Sequence, residues 1–245
     1  MAPPVPTCSR TFTRFSESEH DCRRHGGGRG IGRSIAVELA RRGCDVALLG
    51  RTIETLADAA QLVVAEGRRA VAIPCDVSKS DAVEAAAARV YADLGRPHIV
   101  VPNAGIVHRA PVHSMSEEEW DEVIDVNLKG TFLVTRAFLP RMLDAREGRI
   151  IAIGSISSTL GTATQSAYCA AKWGTVGFVK SLAEELRGTG LQAMCVMPGS
   201  VDTDMLKGSG FAPQMRPEDV ARTVAFLALE APEAMNGSSV EVFGP

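Results

Sequence analysis

Nothing in the 245-residue sequence is apolar for long enough to cross a bilayer, although 45% of its residues are hydrophobic. An excess of one charge is missing too. Lys and Arg number 26 against 29 Asp and Glu, a net −3 that argues against a nucleic acid or a membrane surface as the main partner. The six cysteines (Cys8, Cys22, Cys44, Cys75, Cys169 and Cys195) form no CxxC pair and no Cys/His ligand spacing, so no metal site is expected. They read as reduced thiols of a cytoplasmic protein. Residues 1–25 lack an apolar h-region, which excludes a secretory signal. Their arginines would suit an organellar presequence, but Glu17, Glu19 and Asp21 count against one. No internal repeat or compositional break marks a second domain, so 26–245 reads as one unit.

What is present is a regular alternation of helical and strand-like patterns. Helices are expected over 31–43, 53–66, 79–94, 116–146, 167–187 and 217–230. The helix at 116 is opened by the Ser116/Glu119 capping-box spacing. Strands are expected over 45–49, 70–74, 99–102, "GRIIAIGS", "LQAMCVMPG" and 239–243. Apolar strands each separated by a helix predict a parallel sheet covered on both faces, an α/β doubly wound fold of Rossmann type. Its ligands bind beyond the carboxyl ends of the strands.

Three stretches fall at such ends. "GGGRGIG" (26–32) offers backbone that can approach a pyrophosphate and leads into a helix N-terminus. "PCDV" (74–77) and "VPNAG" (101–105) follow the strands at 70 and 99. Tyr168 and Lys172 are four apart on one helix and share a face, and Ser155 closes the preceding strand. A phenol works as an acid or base near neutral pH only when a cation lowers its pKa, which a lysine ammonium does.

With these motifs in this order, the chain resembles the short-chain dehydrogenase/reductase family from Gly26 to its C-terminus. Members like the 3-oxoacyl-carrier-protein reductases are the nearest in pattern. "HGGGRGIG" matches the family's TGxxxGxG turn, "PNAG" its NNAG and "YCAAK" its YxxxK, while "VIDVNLKGTF" and "MPGSVDTDM" agree as well. The resemblance implies Tyr168 as the general acid/base and Lys172 as the residue that lowers its pKa and holds the nicotinamide ribose. It implies Ser155 as the carbonyl ligand and Asn127 as the holder of a water linking Lys172 to solvent. The implied cofactor contacts are Gly26, Arg29, Gly30, Ile31, Gly32, Arg51, Asp76, Val77, Asn103, Ala104, Gly105, Tyr168, Lys172, Pro198, Gly199, Val201 and Thr203. Trp173 and Cys169, beside these positions, read as packing residues.

The activity implied is interconversion of a carbonyl and a secondary alcohol on a small-molecule or carrier-bound substrate. Gly50 and Arg51 follow the second strand where an acidic residue would repel a 2′-phosphate, and Arg29 lies in the turn. Two guanidiniums and no carboxylate favour NADP over NAD, which stays possible. Alternatives are an NAD-dependent alcohol dehydrogenase of the same fold and a cofactor-binding protein impaired in turnover. Apolar residues on the helices at 116 and 167, including Phe132, Leu133, Val176, Phe178 and Val179, exceed what one sheet face needs. Family members pair such helices across a two-fold axis, so the resemblance implies a homodimer or homotetramer.

One further absence stands out. The family places a hydrophobic strand ending in Thr directly before the glycine turn, where this chain has Ser18-Glu19-His20-Asp21-Cys22-Arg23-Arg24-His25. Charged residues there cannot fill a strand buried on both faces, so the first central strand is missing or replaced. "TFTRF" (11–15) has β character but could substitute only by looping out the residues that follow it. Residues 1–25 are therefore read as a disordered or out-of-frame segment. Spelled CAT GAC TGC CGT CGT CAC with one C restored, residues 20–25 become ATG ACT GCC GTC GTC ACC. That encodes Met-Thr-Ala-Val-Val-Thr, a start codon and the lacking strand. The lid between Asp204 and Pro217 is also short, which would leave the site open to a bulky substrate.

Overall fold

The structure, a computed structural model, describes the backbone of residues 11–15 and all of residues 30–244. Seven strands, β1 (Thr11–Phe15), β2 (Asp45–Gly50), β3 (Ala70–Pro74), β4 (Pro97–Val101), β5 (Gly148–Ile153), β6 (Leu191–Pro198) and β7 (Ser239–Val242), form one sheet in the order β3-β2-β1-β4-β5-β6-β7. Every pairing is parallel. The order reverses between β1 and β4, so the topological switch point of the doubly wound fold lies there.

Strand side chains alternate between two cores, as a period of two requires. Val46 and Leu48 of β2, Ile99 and Val101 of β4, and Met194 and Val196 of β6 pack under α1 (Gly30–Arg41), α2 (Ile53–Ala65) and α7 (Pro217–Leu229). Ala47, Leu49, Val100, Ala193 and Cys195 face the other way. They pack under α3 (Ser80–Asp93), α4 (Glu117–Ile124), α5 (Gly130–Ala145) and α6 (Ser166–Glu185). Burying both faces explains why the strands read as continuous apolar runs.

Asp45, at the start of β2, is a buried exception. Its carboxylate accepts from the Arg69 amide at 3.1 Å and pairs with Arg68 Nη2 at 2.7 Å and Arg69 Nη2 at 2.8 Å. Burial pushes its pKa up, but the Arg69 bonds and the two guanidiniums outweigh that and hold it below its ordinary value of 3.8.

Four expectations are corrected. Thr11–Phe15 occupies the central position, paired with β2 from Thr11↔Asp45 to Phe15↔Leu49 and with β4 on its other side. The first strand is thus replaced, and these five residues do not stand apart from the sheet; the rest of 1–25 lies outside the described residues. The helix expected over 116–146 is three pieces, because a π-helical turn, Asp125–Lys129, separates α4 from α5. The Ser116/Glu119 capping box is present at its start. Of the apolar residues assigned to assembly, Leu133 and Val179 belong to the chain's own core, whereas Phe132 is exposed and stacks edge-on against Phe178. Trp173, read as a packing residue, is exposed as well.

Candidate active site

Because the strands are parallel, their carboxyl ends lie along one edge, and the candidate residues follow them. At β4 the chain leaves through the buried Asn103 and Ala104 to Gly105. Here the lack of a side chain matters: a Cβ on Gly105 would lie 3.1 Å from Asn127 Oδ1 and 3.6 Å from Lys172 Nζ. Asn127 sits in the π-helical turn with no exposed surface. Its Oδ1 accepts from the Ile106 amide at 2.7 Å and its Nδ2 donates to the Ile106 carbonyl at 2.9 Å. The side chain therefore pairs with the loop backbone much as a neighbouring strand would, and the extra residue of the turn gives it that reach.

At β5 the chain exits through Ser155, whose backbone is extended and whose Oγ accepts from the Ser157 amide at 3.1 Å. Ser158 Oγ donates to the Lys172 carbonyl at 2.9 Å and accepts from the Ser155 amide at 3.3 Å, which ties the Ser155 turn to α6. From α6, Lys172 Nζ donates to the Ile153 carbonyl at 2.8 Å and lies 5.7 Å from the centroid of the Tyr168 ring. Lys172 is 4% exposed and Tyr168 9%. The Lys172 ammonium and the Tyr168 ring are thus held side by side, one turn apart on the same face of α6. Behind Lys172, burial pushes the Cys195 thiol up to about 11, with the ammonium pulling the other way.

The lid begins with a 3₁₀ turn, Asp204–Leu206. The Tyr168 hydroxyl contacts Met205 Sδ at 3.9 Å, and Arg109 Nη2 donates to the Met205 carbonyl at 2.7 Å. The expected openness is thus qualified by Met205, which stands over the phenol.

The candidate cofactor residues are strung along the same edge. Gly30 opens α1 with φ of 76°, a conformation that suits glycine, followed by Ile31 and the buried Gly32. Gly26 and Arg29 lie outside the described residues. Asp76 accepts from the Ser78 amide at 2.9 Å and hydroxyl at 2.8 Å, while Val77 is buried in the core. Pro198 ends β6, and the Gly199 amide bonds the Val242 carbonyl at 2.8 Å. Val201 bridges to Met215, and the Thr203 hydroxyl donates to the Val201 carbonyl at 3.3 Å. Arg51, just past β2, meets a carboxylate: Glu122 Oε1 is 3.9 Å from its Nη1.

Asn127, Ser155, Tyr168 and Lys172 therefore converge around the ends of β4 and β5, whereas Arg51 and Asp76 lie farther out beyond β2 and β3. Sequence reading missed Ser158, Met205 and Glu122. Ser158 had a local signal in "SISS", a serine run after a strand. Met205 and Glu122 had none.

Comparison with known proteins shows the family. The family described as short chain dehydrogenase matches residues 25–212. The 3-oxoacyl-(acyl-carrier-protein) reductase FabG of Chlamydia trachomatis is 37% identical over 232 residues, covering 89% of this chain and 94% of the relative. That of Staphylococcus epidermidis is 36% identical, covering 89% and 95%. Among solved structures, a short-chain type dehydrogenase/reductase from Mycobacterium marinum superposes with a TM-score of 0.88 at 27% identity, covering 97% of this chain and 95% of that one. Levodione reductase superposes with a TM-score of 0.86 at 26% identity, covering 96% of each.

Proposed function

The chain belongs to the short-chain dehydrogenase family, and from that membership we propose that it interconverts a carbonyl and a secondary alcohol with NADP(H), using Tyr168 as acid and base. The observation that carries this reading is the buried Lys172 ammonium, anchored on the Ile153 carbonyl beside the Tyr168 ring. Its charge makes the phenolate accessible, so Tyr168 gives a proton to the substrate oxygen on reduction and takes it back on oxidation. Because Ser155 Oγ accepts the Ser157 amide, its own hydroxyl proton is left to donate to the same oxygen. Asn127 holds the loop backbone at Ile106, next to Gly105, and after those two bonds it retains one N–H and one lone pair for a water.

The residues suit a dinucleotide. Gly105 has no Cβ where one would crowd Lys172, and Gly30 opens a helix N-terminus at the switch point. Gly30, Ile31 and Gly32 would meet the pyrophosphate together with Gly26 and Arg29. Arg51 would face the 2′-phosphate, Asp76 and Val77 the adenine, and Thr203 the carboxamide. When bound, the nicotinamide supplies or accepts the hydride.

The relatives are named for 3-oxoacyl groups on acyl carrier protein, which supports a 3-oxoacyl thioester, free or carrier-bound, as substrate. Cys75, Cys169 and Cys195 are free thiols, which supports a cytoplasmic setting. The exposed Phe132 and Trp173 support a homodimer or homotetramer.

The test is consumption of NADPH with an acetoacetyl thioester, followed by loss of the reduced-nicotinamide absorbance. Turnover is expected. Tight NADPH binding without turnover on any 3-oxoacyl thioester would favour the impaired-protein alternative.

A further inference from the structure

We infer that Glu122 is a cofactor-specificity residue, which narrows the preference for a 2′-phosphate by sharing Arg51 with it. The inference rests on the dinucleotide reading above. Arg51 directly follows β2, whose carboxyl end is where this fold receives the adenosine ribose. From the neighbouring sequence alone, that position holds a guanidinium and no acid.

The fold supplies the acid from elsewhere: α4 carries Glu122 to within 3.9 Å of Arg51 Nη1 through Oε1. The other carboxylate oxygen, Oε2, lies 2.8 Å from His108 Nε2, on the loop after β4. Both carboxylate oxygens are thus engaged, and the side chain is aimed at Arg51 rather than free to swing into solvent.

Two effects follow. The attraction that Arg51 offers to a phosphate is partly offset in advance, and a phosphate seated on Arg51 would have a carboxylate for a neighbour. A ribose carrying plain hydroxyls meets neither cost and can donate to a carboxylate. The Arg51 and Glu122 side chains are 35% and 29% exposed, so the pair is screened and a phosphate dianion can compete for the guanidinium. Glu122 therefore reduces discrimination rather than reversing it.

The test is direct titration of NADPH and of NADH into the intact protein, read by the fluorescence of the reduced nicotinamide, for the native chain and for Glu122→Gln. Glutamine keeps the length and can still bond His108, and a melting curve checks that the variant is folded. The NADPH dissociation constant should fall roughly fivefold while that for NADH changes less than twofold. In Arg51→Gln/Glu122→Gln, the gain over Arg51→Gln alone should be smaller. An unchanged NADPH/NADH ratio, or a shift toward NADH, overturns the role of Glu122 while leaving the dinucleotide reading intact. Failure of the native chain to bind either nucleotide overturns both.

Discussion

The Thr131 hydroxyl donates to the backbone carbonyl of Asn127 at 2.8 Å, within the turn where α4 gives way to α5. Four residues on, Thr135 makes the same bond to the Thr131 carbonyl, also at 2.8 Å, but inside regular α-helix. The two threonines are chemically alike and differ in what they support. Thr131 occupies a carbonyl of the π-helical turn whose Asn127 side chain holds the loop at Ile106, whereas Thr135 occupies a carbonyl within regular α-helix.

Thr131→Val, which keeps the shape and removes the hydroxyl, should cost about 1 kcal/mol and lower the melting temperature by about 2–4 °C. Turnover should also drop several-fold. Thr135→Val should melt closer to the native protein and leave turnover unchanged. Equal effects of both on turnover would show that the Asn127 turn does not need this support.

The Asp45 network gives acid stability a defined source. A carboxylate whose folded pKa lies below the unfolded value of 3.8 stabilises the fold above that pH, and the contribution fades as pH falls through the folded value. Asp45→Asn should therefore lower stability at neutral pH by about 1–2 kcal/mol. The difference from the native chain should shrink once the pH drops below 3.8. Denaturant melts at several pH values check this, and a difference that persists unchanged at low pH would contradict it.

Features encoded within a few residues were legible before the fold was known. The Ser116/Glu119 box, the Tyr168/Lys172 pair on one face of α6 and the apolar strands all appear where their spacing predicts, because each depends on one turn or one strand. Features made by distant partners were not. The π-helical turn depends on Asn127 bonding Ile106, on a loop that local helix propensity does not register. Glu122 meets the Arg51 side chain from a helix about seventy residues further along the chain, and Met205 meets Tyr168 from the 3₁₀ turn after β6. Thr11–Phe15 shows the competition between signals most clearly. Its β character was visible, but its distance from the glycine turn argued against a central strand, and the fold accepts that distance.

The N-terminal segment gives the most accessible stability test. Fourteen residues, 16–29, connect β1 to α1, where two, 51–52, connect β2 to α2. The longer connection costs about 2 kcal/mol more in closure entropy. The family match also begins at residue 25, after Thr11–Phe15. A chain with residues 1–19 removed and residues 20–25 replaced by Met-Thr-Ala-Val-Val-Thr should have a short connection and an apolar central strand. It should therefore melt several degrees higher. A lower melting temperature would mean that Thr11–Phe15 is the better strand and that residues 1–25 are in frame.

The central claim is that Tyr168 moves the proton. It is tested most directly by Tyr168→Phe, which keeps the buried ring beside Lys172 and removes only the hydroxyl. Turnover of a 3-oxoacyl thioester with NADPH should fall at least roughly 10²-fold, while the NADPH dissociation constant, read by nicotinamide fluorescence, stays within about twofold of native. Near-native turnover in a folded, NADPH-binding Tyr168→Phe protein would contradict the account.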